Sequence, residues 1–287
     1  MGAKLGRLVA YCLTALCVLV ILFPFLLMLS ISLQTDAEIY SPKLVLLPAS
    51  PQFSNYTAVF ASGNWLQYFL NSTIVTVVVV AVSLLINAMA GYAFARIPFR
   101  HSNALFMLVL VGMMIPTQVT MIPVFTMLRQ VPLLGGNDLF GQGGQGLYDS
   151  LTGLILPFIA GSFGVFLCRQ YYVSFPTELD DAAKIDGCGR FGAFFRIYLP
   201  LSKPLLASLG VLKFAGTWNE YTWPLIMTRS DDMKTVQLAL AAFRNENGIV
   251  WSQLMAAAVL VSLPIYMVFI FAQKHFIAGI MAGSVKA

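Results

Sequence analysis

The stretch LNSTIVTVVVVAVSLLINAMAGYAFA occupies residues 70–95 and contains no Asp, Glu, Lys or Arg. As an α-helix it would extend about 39 Å at 1.5 Å per residue, more than the roughly 30 Å of a bilayer's hydrocarbon core. Hydrocarbon offers backbone N–H and C=O groups no partner, so such a segment spans as a helix. Five further blocks share this character, at 8–33, 104–128, 151–172, 204–227 and 253–272. Pro24, Pro116, Pro123, Pro157 and Pro264 fall inside blocks and are expected to kink helices rather than end them. The expected fold is all-α: one polytopic membrane domain over 1–287 with six transmembrane helices.

Composition agrees. Of 287 residues 59% are apolar and 10% charged, against about 25% charged in soluble domains, and mean hydropathy is +0.80. The net charge of +5 is too small and dispersed for a nucleic-acid surface. The four cysteines (Cys12, Cys17, Cys168, Cys188) lack zinc-site spacing and only His101 and His275 could join them, so no metal site is expected. The first block is too long for the 7–15-residue core of a cleaved signal peptide and is expected to be retained.

Basic residues orient the spans. With the N-terminus inside, the inner segments hold eleven: Lys4, Arg7, Arg96, Arg100, Arg169, Lys184, Arg190, Arg196, Lys203, Lys274 and Lys286. The outer segments hold five: Lys43, Arg129, Arg229, Lys234 and Arg244. Both termini are therefore expected in the cytoplasm. The outer connections are 34–68, the glycine-dense 135–146 (GGNDLFGQGGQG) and 228–251. Segments of this size suit either a partner on that side or plain connectors.

The inner loop 173–203 reads VSFPTELDDAAKIDGCGRFGAFFRIYLPLSK. Thr177 with Asp180 three residues on resembles a capping box, Glu178 and Asp180 suit the positive end of a helix, and Gly187 suits a left-handed C-terminal cap. A short helix is expected over 178–186, with Leu179, Ala182 and Ala183 on one face. Phe191, Phe194, Phe195, Tyr198 and Leu199 follow at i, i+3, i+4, i+7 and i+8, opposite Arg190 and Arg196, an amphipathic segment suited to a membrane surface. Periodicity leaves two uses open for the first helix, docking another protein or packing on its own bundle.

PTELDDAAKIDG followed by FFRIYLPLSKP resembles the EAA signature of the permeases of bacterial ABC importers. The likeness continues in Asn71-Ser72, AGYAFAR ending at Arg96, Ile115-Pro116, Phe166-Leu-Cys-Arg169, Trp218-Asn219-Glu220 and the C-terminal segment 279–286. Together these resemble the maltose-type carbohydrate-uptake permeases, in particular subunits similar to the smaller maltose permease. The resemblance implies a cytoplasmic coupling helix between spans four and five, with Glu178, Asp181, Ala182, Ala183, Asp186 and Gly187 docking an ATPase subunit. Asp181 stands where the family commonly has Glu, which shortens that carboxylate by one methylene. The implied partners are a paralogous permease, two ATPase subunits, an extracellular solute-binding protein and membrane lipid in a bacterial inner membrane. No Gly-x-x-x-x-Gly-Lys-[Ser/Thr] loop occurs in the chain, so ATP and Mg²⁺ are expected on the ATPase and no cofactor on this chain. The resemblance also places 244–249 (Arg244, Asn245, Glu246, Asn247, Gly248) against the binding protein, and the tail 283–287 at the ATPase interface.

Lys213 lies mid-span, where a charge is costly and marks a functional position by default. Glu220, seven residues on, would share its helical face about 10 Å away. Lys213 either faces a wet pathway or is satisfied by snorkelling or by the partner permease. Trp218, Asn219, Glu220 and Tyr221, with Trp223, combine rings and hydrogen-bonding groups suited to sugars, or form an interfacial aromatic belt. Asn87 and Gln118 suit helix–helix hydrogen bonds. A glycerol-phosphate or other polar solute is the alternative cargo. An intramembrane enzyme would need a paired Asp motif, a Ser/His dyad or a His-rich set within the spans, and none is present. The orientation is directly testable: a membrane-impermeant maleimide should label Cys188 in opened cells and not in intact ones, and labelling in intact cells would reverse the topology.

Overall fold

A computed structural model of the chain describes residues 2–245 and 248–284, with side chains for 6–7, 9–243 and 248–273. Helix α1 runs Gly2–Ser32, α2 Trp65–Arg96 and, at the other end of the chain, α11 Trp251–Ser284. Val9–Ser32, Trp65–Arg96 and Trp251–Gln273 are, among the described residues, the three segments long and apolar enough to cross a membrane alone. Pro24 and Pro264 sit inside α1 and α11 without ending them.

The other apolar blocks are bent pairs: α3 (Ser102–Met114) with α4 (Thr117–Arg129) at 104°, α5 (Leu151–Ile155, continued by a tight turn to Phe158) with α6 (Ser162–Val173) at 42°, and α8 (Arg190–Leu201) with α9 (Lys203–Trp218) at 76°. Counting each pair as one crossing gives up to six spans. The expectation of one kinked helix over 104–128 is corrected. Proline disfavours the helical region for the residue before it; here Ile115 (ψ 119°) leaves that region and Pro116 (ψ 133°) is extended too, so the chain turns sharply. Each half has 13 residues, about 20 Å, too short to cross alone. The block 204–227 is likewise two helices: α9 stops at Trp218, and α10 (Thr222–Met227) starts after the break 219–221.

The chain divides into two compact units. In Met1–Leu66 with Leu238–Leu263, polar side chains tie down the segment after α1. Buried Gln34 donates to Ser30 Oγ (3.0 Å) and Val45 O (2.8 Å), and Asn55 Nδ2 donates to the carbonyls of Ser32 and Gln34 (3.0 Å each). Thr35 and Glu38 cap the short helix Asp36–Ile39 reciprocally. The Trp65 and Phe243 rings stack at 5.9 Å.

In Gln67–Gln237 with Pro264–Ala287, one core gathers Tyr92, Cys168, Tyr172, Phe194 and Tyr198, and a second gathers Val79, Leu128, Leu154, Trp223 and Met227. Gly91 lets α2 approach α6 closely: a Cβ there would strike Cys168 Cβ and lie 2.8 Å from Arg169 N. Asn87 ties α2 to the turn before α6, its Oδ1 accepting from Gly161 N–H at 3.2 Å, whereas Gln118 is exposed. The Arg169 guanidinium lies 4.1 Å from the centre of the Phe106 ring. The glycine-dense loop is tightly turned. Asn137 Nδ2 donates to Arg129 O and Val131 O, and Asp138 Oδ1 accepts from the amides of Phe140 and Gln142 (2.8 Å each).

Candidate functional site

The acidic segment forms helix α7, Glu178–Ile185. Three carboxylates (Glu178, Asp180, Asp181) occupy its first turn, where the exposed amides favour negative charge. Its other end closes as a Schellman motif: Gly187, at φ +68°, donates N–H to Lys184 O (3.0 Å), and Cys188 N–H donates to Ala183 O (2.8 Å). Only glycine takes that conformation without a Cβ penalty. The predicted C-terminal cap is therefore observed.

The predicted capping box is corrected. Thr177 is helical at φ −68° and ψ −25°, and its side chain caps nothing. Asp180 is engaged elsewhere. Its Oδ2 pairs with Arg96 Nη1 at 3.3 Å and its Oδ1 accepts from Tyr198 O–H at 2.6 Å. Arg96 is the last residue of α2, with its side chain 7% exposed, and it also donates Nε to Tyr172 O (3.1 Å) and Nη2 to Phe175 O. One guanidinium thus joins the end of α2, the end of α6 and the start of α7. The Tyr198 ring packs between Tyr92 (4.8 Å) and Phe175 (5.6 Å, stacked) beneath this junction. Nothing in the sequence paired Arg96 with Asp180, which are 84 residues apart.

The faces of α7 also differ from the periodic reading. Ala183 is buried at 3% exposure, whereas Ala182 is exposed, because the anchored first turn rolls Ala183 toward the core. Glu178, Asp181, Asp186 and Gly187 are exposed with Ala182. Asp181 Oδ1 accepts from Lys184 Nζ at 3.0 Å, both side chains lying in solvent where such a pair contributes little. Ile185, which the motif did not single out, is 87% exposed on this otherwise polar projection. In α8 the expected single apolar face is divided: Phe194 and Tyr198 are buried, while Phe191 and Phe195 are exposed. A π-helical turn over Phe194–Tyr198 shifts the register.

At the opposite end of α2, Tyr68 O–H donates to Asp231 Oδ2 (2.6 Å), and Asn71 Nδ2 donates to Asp232 O (2.7 Å) and Lys234 O (2.9 Å). Ser72 Oγ accepts from Val236 N–H (2.9 Å). Lys234 and Tyr68 hold the Asp231 carboxyl below the usual carboxylate range. Glu220 lies beyond the end of α9, so it does not share a helical face with Lys213. Its Oε1 accepts from Trp223 N–H (3.0 Å) and caps α10. Trp218 and Trp223 are buried, Trp218 stacked on Phe214 at 5.7 Å and Trp223 donating its indole N–H to Gly153 O at 3.0 Å. Asn219 and Tyr221 are the exposed members of the motif, and Asn219 Oδ1 accepts from Gln237 Nε2 (3.0 Å). Lys213 is half-buried with its ammonium 5.9 Å from the Phe158 ring centre.

Arg244–Asn245 pairs antiparallel with Gly248–Ile249. Glu246 and Asn247 lie outside the described residues, as do 285–287 of the tail, while Gly283 and Ser284 end α11. Among the described residues no group of three or more His, Cys, Asp or Glu side chains could hold a metal ion.

A helical membrane protein with a rigidly mounted acidic helix is the class these features define. Residues 86–281 match the family described as binding-protein-dependent transport system inner membrane component, and the chain belongs to that family. It is 36% identical over 271 residues to the arabinooligosaccharides transport system permease protein AraQ of Bacillus subtilis (strain 168), covering 93% of this chain and 92% of that one. It is 31% identical to the lactose transport system permease protein LacG of Rhizobium radiobacter, covering 99% and 97%. The fold superposes with TM-score 0.80 on a chain of a bacterial ABC transporter involved in the import of the acidic polysaccharide alginate, at 23% identity and covering 96% and 98%.

The turn before α5 supplies a test of these local ties. Asp149 sits at φ +54°, and its Oδ1 accepts from Arg229 N–H (2.8 Å), Ser230 N–H (3.1 Å) and Ser230 O–H (3.1 Å). Burial pushes its pKa up, but these bonds and the nearby Arg229 charge outweigh it and hold the carboxyl below its ordinary value. A depressed folded pKa stabilises above the unfolded value of about 3.9 and is lost as pH falls through the folded one. Asp149→Ala should lower the melting temperature by about 2–4 °C at pH 7, the effect of about 1 kcal/mol in a chain of this size. That gap should shrink as pH falls through the acid range, and a pH-independent gap in thermal unfolding would contradict the assignment.

Proposed function

We propose that this chain is one membrane-spanning half of an ABC importer for a sugar, and that α7 is the seat through which a separate ATPase subunit moves it. Membership of an inner-membrane component family and helices able to span place the chain in the membrane. The arabinooligosaccharide and lactose permeases among its relatives favour a di- or oligosaccharide cargo. The family's description implies a solute-binding protein on the outer side. The other partners in this reading are a paralogous permease and two ATPase subunits, which bind ATP and Mg²⁺. The chain itself carries out no bond chemistry. Nucleotide-driven closure of the ATPase pair carries α7 with it, and the bundle alternates between inward-open and outward-open states.

The carrying observation is the mounting of α7. Its first turn is pinned by Arg96 and Tyr198 while Asp181, Ala182, Ile185 and Asp186 face outward. A small residue beside an exposed isoleucine allows close backbone approach, and the flanking carboxylates suit a basic cleft. In this reading Glu178 and Gly187 complete the seat, Ala183 serves the helix's own packing, and Asn219 and Tyr221 are the pathway candidates. Trp218 and Glu220 act through packing and capping, and Lys213 lines the route from α9. The hairpin containing Arg244, Asn245 and Gly248 is the candidate contact for the binding protein.

Ala182→Arg adds bulk on the exposed face without entering the core. It should reduce sugar uptake at least about tenfold, the loss expected from disrupting an interface hot spot. It should also release the ATPase subunits from purified membranes while the permease pair stays assembled. Normal uptake with the ATPase retained would overturn the assignment of α7.

A further inference from the structure

We infer that α2 is the lever that carries movement of α7 to the segment 231–236, through a polar clamp at each of its ends. The inference rests on the reading of α7 as the seat of the ATPase. At one end, Arg96 reaches Asp180 of α7 and two carbonyls at the end of α6, and Tyr198 closes the junction on the second oxygen of Asp180. A guanidinium holding three acceptors in different directions resists rotation of α7 against α2. At the other end, Tyr68, Asn71 and Ser72 bind four groups of the 231–236 segment, three of them backbone. Asn71 is fully buried and Ser72 is 3% exposed, so water does not compete for these bonds.

What joins the clamps is stiff. From Asn71 to Arg96 is about 38 Å of continuous helix at 1.5 Å per residue. Trp65–Arg96 contains no proline, whereas α1, α4 and α11 each carry one. Sharp bends in helices almost always need proline, a π-bulge or an inserted group. Its close contact with α6 at Gly91 and Asn87 adds girth. Three residues separate the moved segment from α10, and Gln237, the next residue after it, donates to Asn219 Oδ1 in the 219–221 break. A shift of α7 therefore reaches Asn219, one of the pathway candidates, through the Gln237 hydrogen bond.

The test uses the complete complex, with both permeases, the ATPase subunits and the binding protein, reconstituted in lipid. Hydrogen exchange is read on peptides covering 178–187 and 228–236 with and without ATP and vanadate, alongside sugar imported per ATP hydrolysed. In the native complex ATP should alter exchange in both peptides. Arg96→Gln, or the milder Tyr198→Phe where that variant does not assemble, should keep the response at 178–187 and abolish or blunt it at 228–236. Asn71→Asp, isosteric but repelling the two carbonyls, should do the same from the other end. Sugar per ATP should fall about 5- to 150-fold, the range typical of coupling between sites. The double variant should be no worse than the stronger single, since both cut one element. Arg96→Lys should restore only part of the coupling, because an ammonium lacks the fork. An unchanged response at 228–236 with either clamp cut, or multiplicative losses in the double variant, would overturn the lever. No ATP response at 178–187 in the native complex would instead overturn the reading of α7, and the lever with it.

Discussion

The guanidinium of Arg96 is the constraint on which the arrangement of this chain depends. It is a nearly buried cation, and such a charge is tolerated only when paired and hydrogen-bonded. Here the pairing comes from Asp180 and the hydrogen bonds from Tyr172 O in the last turn of α6 and Phe175 O just beyond it, where a cation also opposes the helix dipole. Removing one partner of a buried pair costs about 3–5 kcal/mol, and the partial exposure of Asp180 (24%) puts this pair toward the lower end. That is enough to hold a short helix of eight residues, which would not be stable alone, in one orientation.

The same economy of polar contacts shapes the rest of the bundle. Where the chain bends at Ile115-Pro116, the freed backbone groups fall between two half-length helices. Where α9 ends at Trp218, Glu220 caps the helix that follows, so a carboxylate in an apolar stretch has a structural task. Trp223 spends its indole N–H on Gly153 O. Glu220 and Trp223 thus satisfy backbone groups near a helix start and a proline-containing turn, as the scarcity of water in lipid demands.

Much of this was legible in the residues. Apolar block length located the three full helices, and Gly187 marked the C-terminal cap because only its backbone freedom suits φ +68°. The first-turn carboxylates and Gly187 bound α7 to within a residue. Three features were not legible. A proline inside an apolar block marks a bend but not its size, which depends on whether the residue before it also leaves the helical region, as Ile115 does. Thr177 lies three residues from Asp180, whose partners are on α2 and α8; local spacing cannot report a pairing across 84 residues. The outward face of α7 follows from that distant anchor: periodicity groups Ala182 with Ala183, the fold separates them, and local spacing gives no sign of the exposed Ile185.

The mounted acidic helix, proposed as the handle for a nucleotide-hydrolysing subunit, carries an exposed isoleucine at its outer face. Placing a photo-crosslinking amino acid at position 185 in living cells tests that role most directly. One dominant adduct should join this chain to an ATPase subunit, its yield changing when nucleotide is trapped; adducts confined to lipid or to this chain itself would rule out the handle.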